Sequence, residues 1–414
     1  MNSDFNKKNI DFDILENGTI TSVPGFYAYG CHCGLKSSEK QDICIIYTPE
    51  DSVCSGIFTT NKFQAGPVIV TKEQLKKTRN IKAVIINSGV ANACTGKLGY
   101  KNALKTIDIA GQYLDIDKKN IIVSSTGVIG KQLPMDKIEK GIKKCAGKLS
   151  NTGGHSAAEA ILTTDLVTKE IAVNIKAGAG KDIIIGGMAK GSGMIEPNMA
   201  TLLVFITTNA RISKNLLDRL LLEEAGRSFN SISVDGCQST NDMAIFIANS
   251  KSGVILKNEK SKYYKEFKNA FSYVMKDLAR KIILDGEGAT KLIEIKIINA
   301  KKKADAKKLA LKVANSSLFK AAMFGQDLNW GRINAALGSA GCDFNPDKVS
   351  IYIEDVLIVL KGIGVDFDRK HTEKLMKEKE IKFTVDLNYG NEEFSILTAD
   401  LSLDYIKINA LYRT

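Results

Sequence analysis

The sequence predicts a mixed α/β protein. Short apolar, β-branched segments alternate with amphipathic helical patterns along most of the chain. Hydrophobic residues make up 44% and charged residues 25%, the balance of an ordinary globular protein. A chain of 414 residues is also long enough to bury a large core, and length alone suggests about two or three domains.

Taken in order, residues 68–71, 83–87 and 121–124 read as strands by their runs of Val, Ile and Ala. Residues 102–114 carry helical periodicity, and so do 136–149 after Pro134. An alanine-rich helix is expected over 155–162, then strands over 171–175 and 182–185 that run into a glycine-dense loop. The second half repeats this pattern. A strand over 202–207 precedes a helix from the N-cap candidate Ser213 to about Ser228. A strand over 243–248 and a long helix within 261–284 follow. Further strands are expected over 293–298, 350–353, 381–387 and 394–401. No short repeat and no low-complexity segment interrupts the chain.

Composition excludes some function classes. No run of about 18 apolar residues is present, so no membrane span is expected. The polar start MNSDFNKKNIDFDILENG lacks a secretory apolar stretch, and a cytoplasmic enzyme is the expectation. The net charge of +12 raises nucleic acid as a partner. That partner calls for a clustered basic face with interleaved aromatics. The lysines here are scattered, and the densest group (Lys301, Lys302, Lys303, Lys307, Lys308) reads as one solvated helix face. Eight cysteines in a long chain without a signal peptide are expected as thiols. Cys31 and Cys33 are the one tight pair, and without a second pair at zinc spacing they are a weak metal signal.

The most informative stretch is Gly186-Gly187-Met188-Ala189-Lys190-Gly191-Ser192-Gly193-Met194-Ile195-Glu196-Pro197-Asn198-Met199-Ala200-Thr201. A Walker-type loop is excluded because Gly191 follows Lys190, and Gly191, Gly193 and Glu196 do not make GxGxxG. A surface loop is one reading. Another takes Thr201, which opens the apolar run Leu202-Leu203-Val204-Phe205, as an N-terminal nucleophile. Cutting the Ala200–Thr201 bond would place a hydroxyl and an α-amine on one residue, a recognised nucleophile–base pairing. Such an amine has an ordinary pKa of about 7.7–8.0, suited to proton transfer near neutrality, and Lys190 nearby would lower it by like-charge repulsion.

The stretch from Gly187 to Ile195, followed by Met199-Ala200-Thr201-Leu202-Leu203, resembles the self-cleavage site of the ornithine acetyltransferase (glutamate N-acetyltransferase) family. Other segments carry the resemblance along the chain. They include Asn87-Ser88-Gly89-Val90-Ala91-Asn92-Ala93-Cys94-Thr95-Gly96, in which Cys94 reads as core, and Ser124-Ser125-Thr126-Gly127-Val128-Ile129-Gly130. Leu162-Thr163-Thr164-Asp165, Gly286-Glu287-Gly288-Ala289-Thr290-Lys291 and the C-terminal Tyr405 to Thr414 also match. Phe324 to Arg332 fits too, and is expected as a structural turn near the site. Cys31-His32-Cys33 and the lysine-rich 299–308 stretch are departures from the family pattern.

The resemblance implies an α-β-β-α sandwich of the N-terminal-nucleophile ornithine acetyltransferase/aminopeptidase kind, with a smaller C-terminal α/β region. It implies self-cleavage into residues 1–200 and 201–414, with Thr201 as nucleophile and Ala200 as the residue before the cut. Thr126 and Gly127 would form an oxyanion hole. Thr164, Lys190, Glu287, Asn409 and Thr414 would bind substrate, as would Thr201 itself, with Thr163 a second candidate beside Thr164. The implied reaction is ping-pong acetyl transfer from N-acetylornithine to glutamate in arginine biosynthesis, with acetyl-CoA as a further donor in some members. No metal or organic cofactor is implied, and the assembly would be a heterotetramer of two cleaved chains of each kind. A self-cleaving aminopeptidase or amidase is the alternative.

Overall fold

A computed structural model describes residues 11–178, 180–196 and 202–411. Two sheets lie face to face. The first runs Tyr27–Cys31, Ile43–Tyr47, Ala83–Asn87, Ile121–Ser125. The second runs Asp13–Ile14, Lys169–Ile175, Ile183–Lys190, Leu203–Thr208, Met243–Ala248, Val53–Phe58.

The strand alternation explains the layering. Ile43, Ile45, Ala83 and Ile85 point to the helices Gly96–Leu114 and Met135–Ala146, joining Ile107, Ile138 and Ile142. Their neighbours Cys44, Ile46, Val84 and Ile86 point the other way, against Leu203, Phe205, Met243 and Ile245 of the second sheet. Val204, Ile206, Ala244 and Phe246 face outward again, onto the helices Lys214–Gly226 and Tyr264–Leu284. Successive strand residues serve opposite faces, so strands covered on both sides read as continuous apolar runs. The result is helix, sheet, sheet, helix, the layered sandwich expected.

A separate core lies beyond it. A seven-stranded sheet built on Leu292–Ala300, Glu380–Asp386 and Glu392–Ala399 carries the helices Lys303–Ala314, Ser317–Phe324 and Trp330–Gly338 on one face. Here buried and half-buried residues alternate, as along Glu380–Asp386. This is the smaller C-terminal α/β region.

Most expected elements fall within a few residues of those observed. Two do not. Residues 68–71 are helical, within Gly66–Lys77, with Pro67 in the first turn. Val68 packs into the inter-sheet core and Val70 into the outer layer. Residues two apart on a helix point about 200° apart, which imitates strand alternation. The glycine-dense 186–190 segment is strand rather than loop. It pairs with Lys169–Ile175 on one side and with Leu203–Thr208 on the other. Gly187 belongs there because Leu278 and Val274 of the long helix pack directly against its backbone.

Candidate active site

The Ala83–Asn87 and Ile121–Ser125 strands are parallel, and their chains stay together past the strand ends. Thr126 N–H donates to the Asn87 carbonyl (3.0 Å), Val128 N–H to Gly89 (3.2 Å), and Ala91 N–H to Val128 (3.0 Å). Between them Gly127 sits at φ +124°, and a Cβ there would lie 2.4 Å from the Gly89 carbonyl carbon. Only glycine fits that approach. The Gly127 N–H and the Thr126 hydroxyl have no hydrogen-bond partner among the described residues. A strand end thus presents two donors at one point, without partners among the described residues.

That point opens on a cleft lined among others by Thr126, Gly127, Thr163, Thr164, Lys190, Leu202, Asp242, Glu287, Tyr405 and Asn409. Lys190 ends its strand opposite Leu203, with its ammonium 3.8 Å from Asp165 Oδ2. Asp165 is buried with Lys169, whose Nζ bridges Asp165 Oδ1 (2.8 Å) and Asp285 Oδ2 (2.5 Å). Burial opposes the Asp165 charge, but Lys190 and Lys169 prevail and hold its carboxyl well below the usual range. Asp165 also accepts the N–H groups of Gly191 (2.8 Å) and Thr163 (3.0 Å). The Thr163 hydroxyl faces the same carboxylate at 3.4 Å, while that of Thr164 has no partner among the described residues.

Glu287 follows the long helix and donates its backbone N–H to the Ser192 carbonyl (3.0 Å). Its Oε2 accepts from Asn409 Nδ2 at 2.8 Å. Asn409 lies on the helix Leu403–Leu411, whose base is tied down by Ser402 Oγ donating to the Gly288 carbonyl (2.6 Å). The cleft therefore holds a lysine, a carboxylate, threonine hydroxyls and a turn whose Gly127 N–H has no partner among the described residues. Thr126, Gly127, Thr164, Lys190, Glu287 and Asn409 all meet there. Ala200, Thr201 and Thr414 lie outside the described residues.

Two expectations are corrected. Cys94 is exposed, at φ +55°, and is not core. The Phe324 to Arg332 segment does form the turn between two helices, but it packs in the C-terminal region and lines none of the cleft. Cys31 Sγ lies 3.4 Å from Cys145 Sγ, a contact that sequence spacing does not mark.

Sequence reasoning passed over Asp235, Asn241, Asp242 and Tyr405. Asp235 accepts the N–H groups of Met194 (2.5 Å) and Ile195 (2.9 Å), shaping the segment before residue 197. Burial, then Asp235, pushes the Tyr405 phenol well up. Asp242 Oδ2 is buried without a hydrogen-bond partner among the described residues. Burial drives this carboxyl well above its ordinary value, against the pull of Ser239, Lys190 and Thr59. The signal available was the polar run Ser239-Thr240-Asn241-Asp242 ahead of an apolar strand.

A layered sandwich with such a cleft at the ends of its central strands defines an enzyme for a small, charged substrate. The chain belongs to the ArgJ family, whose model matches residues 27–414. It is an acetyltransferase of arginine biosynthesis. It is 45% identical over 406 residues to an "Arginine biosynthesis bifunctional protein ArgJ" of Caldanaerobacter subterraneus subsp. tengcongensis, covering 97% of this chain and 100% of that one. A Clostridium acetobutylicum relative, "Arginine biosynthesis bifunctional protein ArgJ 1", is 43% identical, covering 97% and 99%. A solved structure of the Bacillus halodurans ArgJ protein is 41% identical over 46% of this chain and 98% of its own, with a TM-score of 0.43. Among the described residues, no helix is long and apolar enough to cross a membrane.

Proposed function

We propose that the chain cuts itself between Ala200 and Thr201 and then moves an acetyl group from N-acetylornithine to glutamate on Thr201. One observation carries this reading. Six residues expected from the family pattern line one cleft with Leu202, the residue that follows Thr201 in sequence.

In the first stage the Thr201 hydroxyl attacks the Ala200 carbonyl. The C–N bond breaks, the hydroxyl proton passes to the departing nitrogen to give the free α-amine, and water opens the resulting ester. The products are chains of 200 and 214 residues (414 − 200). They stay together because Ile183–Lys190 and Leu203–Thr208 pair along their length. In the second stage the freed amine takes the Thr201 hydroxyl proton. The oxygen attacks the acetyl carbonyl, and Thr126 and Gly127 receive the developing negative charge. Ornithine leaves with its nitrogen reprotonated, and the glutamate amine then takes the acetyl group from the threonine ester. Lys190 and Glu287, with Thr164 and Asn409, hold the charged ends of the amino acids, supplying position rather than chemistry. Thr414 joins them by the same family pattern, and two copies of each cleaved chain make the assembly.

The relatives are named bifunctional, and we take acetyl-CoA as the second acetyl donor. Intact mass under denaturing conditions, beside Thr201→Ala, is the test. Two chains in the parent and one in the variant support the reading, and acetyl-transfer assays with each donor follow. A folded parent that stays uncut overturns it. A cut parent that hydrolyses small peptides and does not acetylate glutamate supports the amidase alternative.

A further inference from the structure

We propose that Asn241 is a positioning residue that sets the oxyanion-type turn against the nucleophile strand. This rests on the reading of Thr201, Thr126 and Gly127 given above.

Asn241 is 4% exposed and lines the cleft. Its Nδ2 donates to two carbonyls, Ala91 at 2.6 Å and Ser125 at 2.8 Å. Those carbonyls belong to the two segments that make the turn, one on each side of the Gly89–Gly127 contact. Its Oδ1 is taken by the Thr240 hydroxyl at 2.6 Å, which orients the amide with both protons toward the turn.

Two further bonds bracing this turn stay within the first sheet. Ser125 Oγ donates to Asn87 Oδ1 (2.6 Å), and Asn87 Nδ2 donates to Val90 (2.9 Å). Asn241 comes from the second sheet. It precedes Met243, the register partner of Leu203, by two residues, as Thr201 precedes Leu203 in sequence. Met243 N–H also donates to the Leu202 carbonyl at 3.0 Å. One amide therefore couples the donors that meet the oxyanion to the strand that follows the nucleophile. Both carbonyls are buried, and a side chain without two N–H donors leaves them unpaired.

The test compares kcat and KM for acetyl transfer, counted per cut chain by mass, together with the thermal midpoint. Asn241→Asp keeps size and the bond from Thr240 but turns both donors into acceptors facing carbonyls. It is expected to lose about 10²-fold in kcat, with KM within about threefold, because substrate-binding groups lie on other elements. Asn241→Ser keeps one donor and is expected to lose about 10-fold. Thr71→Val is the stability control. Thr71 Oγ1 is bonded both ways to the Val123 backbone at 2.6 and 3.0 Å, within the strand that leads to the turn. It should lower the thermal midpoint while leaving kcat within about twofold.

Parental kcat in the cut Asp and Ser variants overturns the proposal, as does an equal loss of kcat in Thr71→Val. If the Asp variant does not fold, the Ser variant decides. A parent that is neither cut nor active instead overturns the reading of Thr201 on which the proposal rests.

Discussion

Two buried lysines show how the sandwich and the C-terminal region handle charge differently. Lys169, in the sandwich, is fully buried between the carboxylates of Asp165 and Asp285. Lys320, in the C-terminal region, is 4% exposed and bonds neutral groups, the Ala399 carbonyl and the Thr398 hydroxyl. Burial pulls the Lys320 pKa down to about 8, with Asp400 and Asp235 opposing more weakly. A buried ammonium among dipoles lacks the compensating charge that carboxylates supply, so burial lowers its pKa. The paired arrangement lies beneath the cleft, where Asp165 also faces Lys190 and anchors Gly191. Charge is buried at the site in a compensated network, which holds its members in one geometry.

Substitutions can break this contrast. Lys169→Met removes the cation between two buried carboxylates, leaving Asp285 without it and Asp165 with Lys190 alone, and should cost about 3–5 kcal/mol, read as a lower denaturant midpoint. An effect under about 1 kcal/mol would mean that Asp165 and Asp285 find other partners. Gly127→Ala forces a side chain to φ +124° against Gly89. It should cost about 10²–10³ in kcat, measured in cut, folded protein.

Lys320 yields a pH prediction with a definite sign. Between about 8 and its ordinary 10.5, the unfolded chain keeps this proton and the folded chain does not. Stability from this group therefore rises with pH across that window, by about 3 kcal/mol. Below about 8 both states are protonated and the burial cost is present in full. Urea midpoints at pH 7.5 and 9.5, values chosen to straddle about 8, should differ more in the parent than in Lys320→Met. Equal differences in both proteins would remove Lys320 as the source.

Glu287→Gln keeps shape and loses charge at the cleft. KM for the amino-acid substrate should rise about 10-fold with a smaller change in kcat. The smallest effect is expected in the C-terminal sheet, where Lys296 pairs with the largely exposed Glu393 at 2.8 Å. Lys296→Met should change stability by less than about 1 kcal/mol, and a larger loss would erase the contrast with Lys169.

How much of this was legible in the sequence varied with the kind of evidence. The strands buried on both faces, such as Ala83–Asn87 and Met243–Ala248, were plain as apolar runs. Gly66–Lys77 was missed because a helix wedged between two layers buries residues two apart on opposite sides. Thr126, Gly127, Lys190 and Glu287 were found through motif resemblance, since nothing local marks a carboxylate such as Glu287 among 46 acidic residues. Asn241 and Lys169 had no such mark, because each has a partner far away in sequence. Asn241 reaches Ser125 across 116 positions, and Lys169 reaches Asp285 across 116.

The sequence by itself determined the α/β class and the apolar pattern of the strands. Those properties follow from side-chain chemistry and short periods, which a linear text records. Tertiary structure alone decided that the glycine-dense 186–190 segment is a central strand and that Asn241 ties two sheets at the turn. It also decided that Asp165 holds Lys190 at the cleft. Each depends on which distant backbone comes close enough to pair, and that is settled only when the layers pack.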